Sequence, residues 1–217
     1  MVRCICIVIG YLLGLIQTGY IYGRIKGIDI RQYGSGNAGS TNALRTLGKK
    51  AGLIVLTGDI IKCIIAVVLV RVLLPQEYQH MKHLYMLYAA LGAILGHNYP
   101  FYLGFKGGKG IAATIGLVAA FDVSFLIVAL ILFFTGFLIT HYVSLGSLLV
   151  YAGFMIQLIV AGEMGLLQYM EPTIRYELYI IGAFLTIMAY WKHRENIVRL
   201  WKGTERKTYI RKTRANG

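Results

Sequence analysis

Residues 123–140 read VSFLIVALILFFTGFLIT, eighteen consecutive positions without a charge. Crossing the hydrocarbon core of a bilayer takes about 20 predominantly apolar residues in a helix, because lipid offers no partner to backbone N–H and C=O groups. A run of this length and composition reads as a membrane span. Working outward, further runs of the same kind fall at 144–161 and 178–191 on one side and at 111–121, 84–97, 51–74 and 4–22 on the other. The expectation is an all-α fold, a polytopic integral membrane helical bundle of seven transmembrane helices forming a single domain over 1–217. Asp122 separates two of the runs. Without a break there, one long bent segment would reduce the count to six.

Composition agrees with this reading. Of 217 residues 57% are hydrophobic and 14% charged, with a mean hydropathy of +0.64, too apolar for an ordinary water-soluble domain. The net charge of +13 would point a soluble chain toward nucleic acid, but here it lies in loops flanking apolar runs. There it orients the protein and attracts anionic lipid, so membrane lipid is the expected partner and nucleic acid is not. Residues 23–50 carry Arg24, Lys26, Arg31, Arg45, Lys49 and Lys50, and 98–110 carry Lys106 and Lys109. Nine more follow from Lys192 onward, so that 17 of the 22 Lys and Arg fall in these three stretches. The alternate loops hold Glu77, Glu163, Glu171 and Glu177 with Arg71, Lys82 and Arg175. Because cytoplasmic loops carry the excess of Lys and Arg, the N-terminus is expected outside, the C-terminus inside, and 205–217 as a basic cytoplasmic tail. The first run has no small-x-small cleavage site before Arg24 and is kept as a helix. Cys4, Cys6 and Cys63 have no metal-ligand spacing, so neither a metal site nor a disulfide is expected.

Three polar stretches carry the candidate chemistry, all on the expected inner side. The first is Gly34-Ser-Gly-Asn-Ala-Gly-Ser-Thr-Asn42, followed by Arg45. Its glycines let backbone N–H groups turn toward an anion, while Ser35, Asn37, Thr41 and Asn42 add donors without bulk. Gly34 to Gly39 matches G-x-G-x-x-G, yet that dinucleotide fingerprint has meaning only after a strand, and here it follows a membrane helix. A flexible connecting loop is the alternative. The second stretch runs from Gly96 through Lys106-Gly-Gly-Lys-Gly110 to the expected start of a helix, whose positive dipole end beside Lys109 suits phosphate. No Ser or Thr follows Gly108-Lys109, so nucleotide hydrolysis is not indicated. An interfacial anchor accounts for Tyr99, Phe101, Tyr102 and Phe105 but leaves the interleaved glycines and lysines unexplained.

The third stretch is Lys192-His-Arg-Glu-Asn196. Its His193 and Asn196 lie three apart, on one face of a helix, and a histidine and an amide suit attack by an alcohol. The residues from Ile197 to Trp201 read instead as an amphipathic interfacial helix. Asp59 and Lys62, also three apart, are costly toward lipid and are expected to pair within the bundle or at its inner mouth. Gly92 and Gly96 form a small-xxx-small pair, which signals close helix packing. The turn 141–147 offers Ser144 or Ser147.

In this order and spacing, these stretches resemble the bacterial acyl-phosphate glycerol-3-phosphate acyltransferase family over most of the chain. The residues that carry the resemblance are Gly34 to Asn42 with Arg45, Asp59-Ile-Ile-Lys62, Gly96-His97 through Gly104-Phe-Lys-Gly-Gly-Lys-Gly110, Tyr142-Val-Ser-Leu-Gly-Ser147, and His193-Arg-Glu-Asn-Ile-Val-Arg-Leu200. Ser40, Cys63, Ala113 and Gly146 depart from the family pattern by small-residue exchanges. The resemblance implies seven spans with the N-terminus outside, no cofactor and no metal. It also implies transfer of a fatty acyl group from acyl phosphate to the 1-hydroxyl of glycerol 3-phosphate at the cytoplasmic face of the bacterial inner membrane. The products are lysophosphatidic acid and inorganic phosphate, in the first acylation of phospholipid synthesis. The catalytic residues expected on this basis are His193, Asn196, Ser35 and Lys109. Gly36, Asn37, Gly39, Thr41, Asn42, Arg45, Lys106, Gly107, Gly108, Gly110 and Ser147 are expected to bind substrate. None of the five histidines has Asp five residues later, which disfavours the acyl-CoA-type donor of the His-x-x-x-x-Asp acyltransferases. A transporter of phosphate esters is the main rival, but it would place polar sites near the midplane with repeat symmetry.

Overall fold

The computed structural model describes residues 1–167 and 170–209. Among them the regular structure is helical: α1 Val2–Gly14, α2 Thr18–Ile25, α3 Ser40–Leu47, α4 Lys49–Leu73, α5 Lys82–Asn98, α6 Ile111–Phe121, α7 Val123–Thr140, α8 Val143–Glu163, α9 Pro172–Lys192 and α10 Arg194–Trp201, with short 3-10 turns between some of them. Four helical stretches, Val2–Ile25, Lys49–Leu73, Val123–Thr140 and Val143–Glu163, are long and apolar enough to cross a bilayer. Exposed Ile5, Val8, Leu12, Ile131, Ile139, Ile180 and Ile187 leave broad apolar faces with no protein against them, as lipid-facing helices do. The remaining helices are shorter or more polar. At 1.5 Å per residue, the eleven residues of α6 reach only ~16 Å. The basic tail was expected over 205–217; its first five residues, 205–209, fold back onto the bundle, and 210–217 lie outside the described residues.

Glycine brings the elements at the centre together. Gly10 and Gly14 of α1 face Ala89 and Ala93 of α5, while Gly92 and Gly96 of α5 face the backbone of Ile7, Tyr11 and Gly14; a Cβ at any of the four would strike main chain. Gly116 of α6 meets Ile60 and Cys63 of α4 in the same manner, and Gly136 of α7 meets Gly146 of α8. Around this spine the buried core runs from Cys63, Ala66 and Val67 through Leu84, Leu87 and Ile94 to Leu117, Phe125, Phe154, Leu158 and Leu185.

Three features differ from, or refine, the expected spans. The first run is not one helix over 4–22: it breaks between α1 and α2, where Gln17 is buried with φ −90° and ψ 83°. Its side-chain amide donates to the carbonyls of Gly14, Gly96 and His97 at 3.1–3.2 Å. The break also frees the carbonyls of Leu15 and Ile16, which accept from the Tyr102 hydroxyl and from Lys62 at 2.6 Å each. At Asp122 the chain does separate, with extended backbone and a carboxylate that accepts from the Ser124 N–H at 2.8 Å and so caps α7. The stretch 40–47, expected within a loop, is α3, an amphipathic helix with buried Asn42 and Ala43 on its inner side.

Candidate active site

The Gly34 loop is organised around one side chain. Asn42 is almost wholly buried; its amide donates to the carbonyls of Ile30, Tyr33 and Asn37 at 2.9–3.0 Å, and its carbonyl accepts from the Ser35 N–H at 2.9 Å. Gly34 and Gly36 take positive φ, +62° and +70°, to close the turn. Of the N–H groups in this loop, those of Ser35, Gly36, Gly39 and Asn42 are engaged, Gly36 with the Tyr33 carbonyl and Gly39 with the Asn37 side chain, while those of Asn37, Ala38, Ser40 and Thr41 have no protein partner among the described residues. Asn37, Asn42 and the glycines therefore shape the loop. The Ser35 and Thr41 hydroxyls have no protein partner among the described residues.

The second glycine stretch is also packed. Gly107 and Gly108 donate to the carbonyls of Asn98 and His97 at 3.2 and 3.0 Å, and a Cβ on Gly108 would fall on the His97 ring. His97 is in turn held by Lys62, whose ammonium lies 2.9 Å from Nδ1 and 2.8 Å from the Asp59 carboxylate, in a cluster closed by Thr18. The expected Asp59–Lys62 pairing is thus present, with both side chains at most 3% exposed. It forms the foundation under the loop that presents Lys109. Gly110 takes φ +88° as the N-terminal cap of α6 and abuts the wholly buried Asn98, whose amide has no partner among the described residues.

Lys109 reaches across to α10, where its ammonium donates to the Asn196 Oδ1. The Asn196 amide donates in turn to Glu205 Oε1 at 2.7 Å. The same oxygen accepts from Ser144 at 3.0 Å, and Glu205 Oε2 accepts from Arg199 Nε at 2.7 Å. Arg45 on α3 donates to the Thr208 hydroxyl at 2.8 Å. Loop 98–110, α3, α8 and α10 therefore converge at one end of the bundle. The carbonyl of Asn98 accepts from Lys192 at 3.1 Å, and that ammonium also sits 4.5 Å from the Tyr99 ring centre. Among the described residues no three His, Cys, Asp or Glu side chains cluster in a way that could hold a metal ion.

His193 occupies the junction of α9 and α10 and is 3% exposed. Its Nδ1 lies 2.8 Å from the Ala189 carbonyl, an acceptor, so Nδ1 carries the proton and Nε2 keeps its lone pair. Burial, opposed by that hydrogen bond and reinforced by Lys109, pushes its pKa down to about 4. It is a neutral hydrogen-bond acceptor at ordinary pH. Burial and the Arg199 charge also lower the Lys109 pKa, against the attraction of Glu205. For Glu205, burial works against ionisation, but hydrogen bonds from Asn196, Arg199 and Ser144 prevail and hold the carboxyl below its ordinary pKa.

Of the residues expected from sequence, His193, Asn196, Lys109 and Arg45 reach this end together. Ser147 does not join it. Its hydroxyl bonds back to the Val143 carbonyl at 2.8 Å, and Ser144, one turn earlier, is the serine that enters the polar cluster. Lys106 is exposed, and its side chain has no polar partner among the described residues. Arg199 and Glu205 were missed. A lone acid at 205 between the basic residues of the tail was the available signal.

Known proteins match over nearly the whole length. The family model described as glycerol-3-phosphate acyltransferase matches residues 4–203. A glycerol-3-phosphate acyltransferase of Halalkalibacterium halodurans is 42% identical over 203 residues, covering 93% of each chain. One from Clostridioides difficile is 40% identical over 206 residues, covering 92% of each. Among solved structures, an integral membrane glycerol 3-phosphate acyltransferase in its glycerol 3-phosphate form superposes with a TM-score of 0.79 at 34% identity, over 95% of this chain and 96% of that one. A lysophosphatidic acid form of such an enzyme gives the same TM-score at 31% identity, over 95% of both chains.

Proposed function

The chain belongs to the glycerol-3-phosphate acyltransferase family, and on that premise we propose that it moves a fatty acyl group from acyl phosphate to the 1-hydroxyl of glycerol 3-phosphate. The products are lysophosphatidic acid and inorganic phosphate. The observation that carries this reading is the cationic cluster at one end of the bundle, where Arg45, Lys109 and Arg199 surround the hydroxyl and amide donors of Ser144 and Asn196. Two phosphate-bearing substrates need this combination of fixed positive charge and neutral donors.

In the proposed mechanism the glycerol 1-hydroxyl donates its hydrogen bond to Nε2 of His193 and is oriented by Asn196. Its oxygen attacks the acyl carbonyl carbon, and the bond from that carbon to the phosphate oxygen breaks. A base whose conjugate acid has a pKa of about 4 orients a hydroxyl better than it deprotonates one. The proton therefore passes to a phosphate oxygen of the donor. Lys109 and Arg45 balance the charge that gathers on the departing phosphate, Ser35 and Thr41 hydrogen-bond it, and Lys106 draws anions to the entrance. An acyl phosphate is already an activated anhydride, so alignment supplies much of the rate.

The proposed setting is the bacterial inner membrane, with seven spans, the N-terminus outside and the site at the cytoplasmic face. The basic stretches 23–50, 98–110 and 192–209 share the site's end, and the acidic Glu77, Glu163, Glu171 and Glu177 the other. The deciding assay is phosphate release by purified protein in detergent with acyl phosphate and glycerol 3-phosphate. Release that does not depend on glycerol 3-phosphate rejects the reaction. For orientation, a Ser35→Cys, Cys4→Ser variant in intact cells should resist an impermeant thiol reagent, and ready labelling inverts the topology.

A further inference from the structure

Two polar ties join the loop 98–110 to α9 and α10 among the described residues. In one, Lys109 donates to Asn196 on α10. In the other, the Lys192 ammonium at the end of α9 donates to the Asn98 carbonyl at 3.1 Å and lies 4.5 Å from the Tyr99 ring centre. The Asn98 carbonyl also accepts from the Gly107 N–H at 3.2 Å. A single oxygen is thus held from both sides, by the end of α9 and by the backbone two residues ahead of Lys109.

The two ties differ in what substrate does to them. Lys109 and Asn196 are both assigned to substrate in the proposed mechanism, so their mutual bond gives way when phosphate and glycerol arrive. Lys192 has no such assignment, and its bond survives in the loaded site. A lysine at the membrane surface ordinarily extends its ammonium into water, and exposed Arg194, two residues on, stacks on Trp191 outside the site. Lys192 instead turns inward, half-buried, and bonds to a carbonyl 94 residues earlier in place of those at its own helix end. Its neighbour His193 is fixed to the same helix through the Ala189 carbonyl. The end of α9 therefore carries the histidine that orients the glycerol hydroxyl and, beside it, a charge-assisted hydrogen bond to the base of the loop that presents Lys109.

We propose that Lys192 is a positioning residue: through the Asn98 carbonyl it fixes the loop that carries Lys109 relative to His193, so that donor phosphate and acceptor hydroxyl stay in register while both are bound. This rests on the function proposed above. With an activated donor, alignment of the two substrates supplies much of the rate, and a displacement on the order of 1 Å costs roughly 100-fold. Each half of the site keeps its own contacts to its substrate when the tie is lost. The effect of Lys192 therefore falls on kcat and on neither KM.

The test uses the full chain in detergent and two measurements. Lys192→Met keeps the length of the side chain without its charge. It should lower kcat on the order of 100-fold, with the KM for glycerol 3-phosphate and for acyl phosphate each within about twofold of wild type, and Lys192→Arg should recover most of the loss. A residue that acts through another loses its effect once the other is gone, so in a Lys109→Ala background Lys192→Met should cost no more than about threefold. Losses that multiply in the double variant, a rise in either KM in place of the fall in kcat, or an unchanged rate each overturn the proposal. The second measurement needs no turnover. Tryptic cleavage after exposed Lys106, in the tied loop, is compared by mass spectrometry with cleavage after exposed Lys26, just past α2. Lys192→Met should raise that ratio at least about tenfold, the lower end for loss of a hydrogen bond to a charged group, and Lys192→Arg should leave it near wild type. An unchanged ratio, or both sites cleaved faster together, overturns the tie. A wild-type chain whose phosphate release does not depend on glycerol 3-phosphate would reject the proposed reaction, and the cleavage ratio would still decide the tie.

Discussion

Gly108→Ala separates two roles a glycine beside Lys109 can play, yielding backbone to an anion or yielding space to a neighbour. Gly108 has no positive φ, so alanine is conformationally admissible and its effect is steric. The new Cβ would lie on the His97 ring, 2.6 Å from Cε1 and 2.8 Å from Cδ2, inside the 3.0 Å that real Cβ atoms respect. The ring cannot swing aside freely: His97 is 3% exposed, and its Nδ1 is 2.9 Å from the Lys62 ammonium. Losing that charge-assisted hydrogen bond costs about 1.5–3 kcal/mol, and overpacking adds about 1–3 kcal/mol. A combined loss of about 4 kcal/mol lowers the melting temperature of a chain this size by roughly 8–16 °C. If the loop yields instead, Lys109 moves by on the order of 1 Å, enough to cost roughly 100-fold in rate. Thermal unfolding in detergent, read by tryptophan fluorescence and paired with initial rates, measures both. An unchanged melting temperature with weakened substrate affinity alone would refute the packing argument and return Gly108 to the anion.

Asn196→Asp keeps an acceptor for Lys109 but sets a carboxylate against Glu205, and should lower kcat/KM by about 3 kcal/mol, roughly 150-fold. Adding Glu205→Gln restores a donor and should recover a large part of the loss; a double variant no better than the single refutes the orientation assigned to the Asn196 amide. Ser144→Ala removes a hydroxyl from the polar cluster beside Asn196 and should raise the KM for glycerol 3-phosphate about fivefold, as one hydrogen bond of ~1 kcal/mol implies, with a smaller change for Ser147→Ala. The reverse order refutes the choice of serine. His193, with its pKa lowered from 6.5 to about 4, takes up its proton in the unfolded chain before the folded one. Stability should therefore fall as pH drops from about 6.5 toward 4, by up to about 3 kcal/mol, and carry no such penalty above 6.5. His193→Gln should flatten that part of the melting-temperature profile, and parallel profiles would contradict a buried neutral imidazole.

Much of the fold was legible from residue order because lipid imposes a demand that each segment must meet by itself. A run without charge such as 123–140 satisfies its own backbone as a helix, and α6 and α7 fall where that reading put them, with Asp122 dividing them. The family was legible for a related reason, since His193, Asn196, Lys109 and Arg45 lie in short stretches whose residue types carry the chemistry. What each residue touches depended on chain segments far apart in sequence. Gln17 breaks the first run because the carbonyls of Gly96 and His97, some eighty residues on, need a donor there. Gly107 and Gly108 read as a phosphate cradle until His97 is seen beneath them, and Ser147 reads as well as Ser144 until the helix is built and one of them turns to its own backbone. Glu205 is one acid in a basic tail by composition. Only the reversal at Gly203 lays it against Ser144, Asn196 and Arg199, because a hydrogen-bond partner is chosen by distance in space, and that distance exists only after the helices have packed.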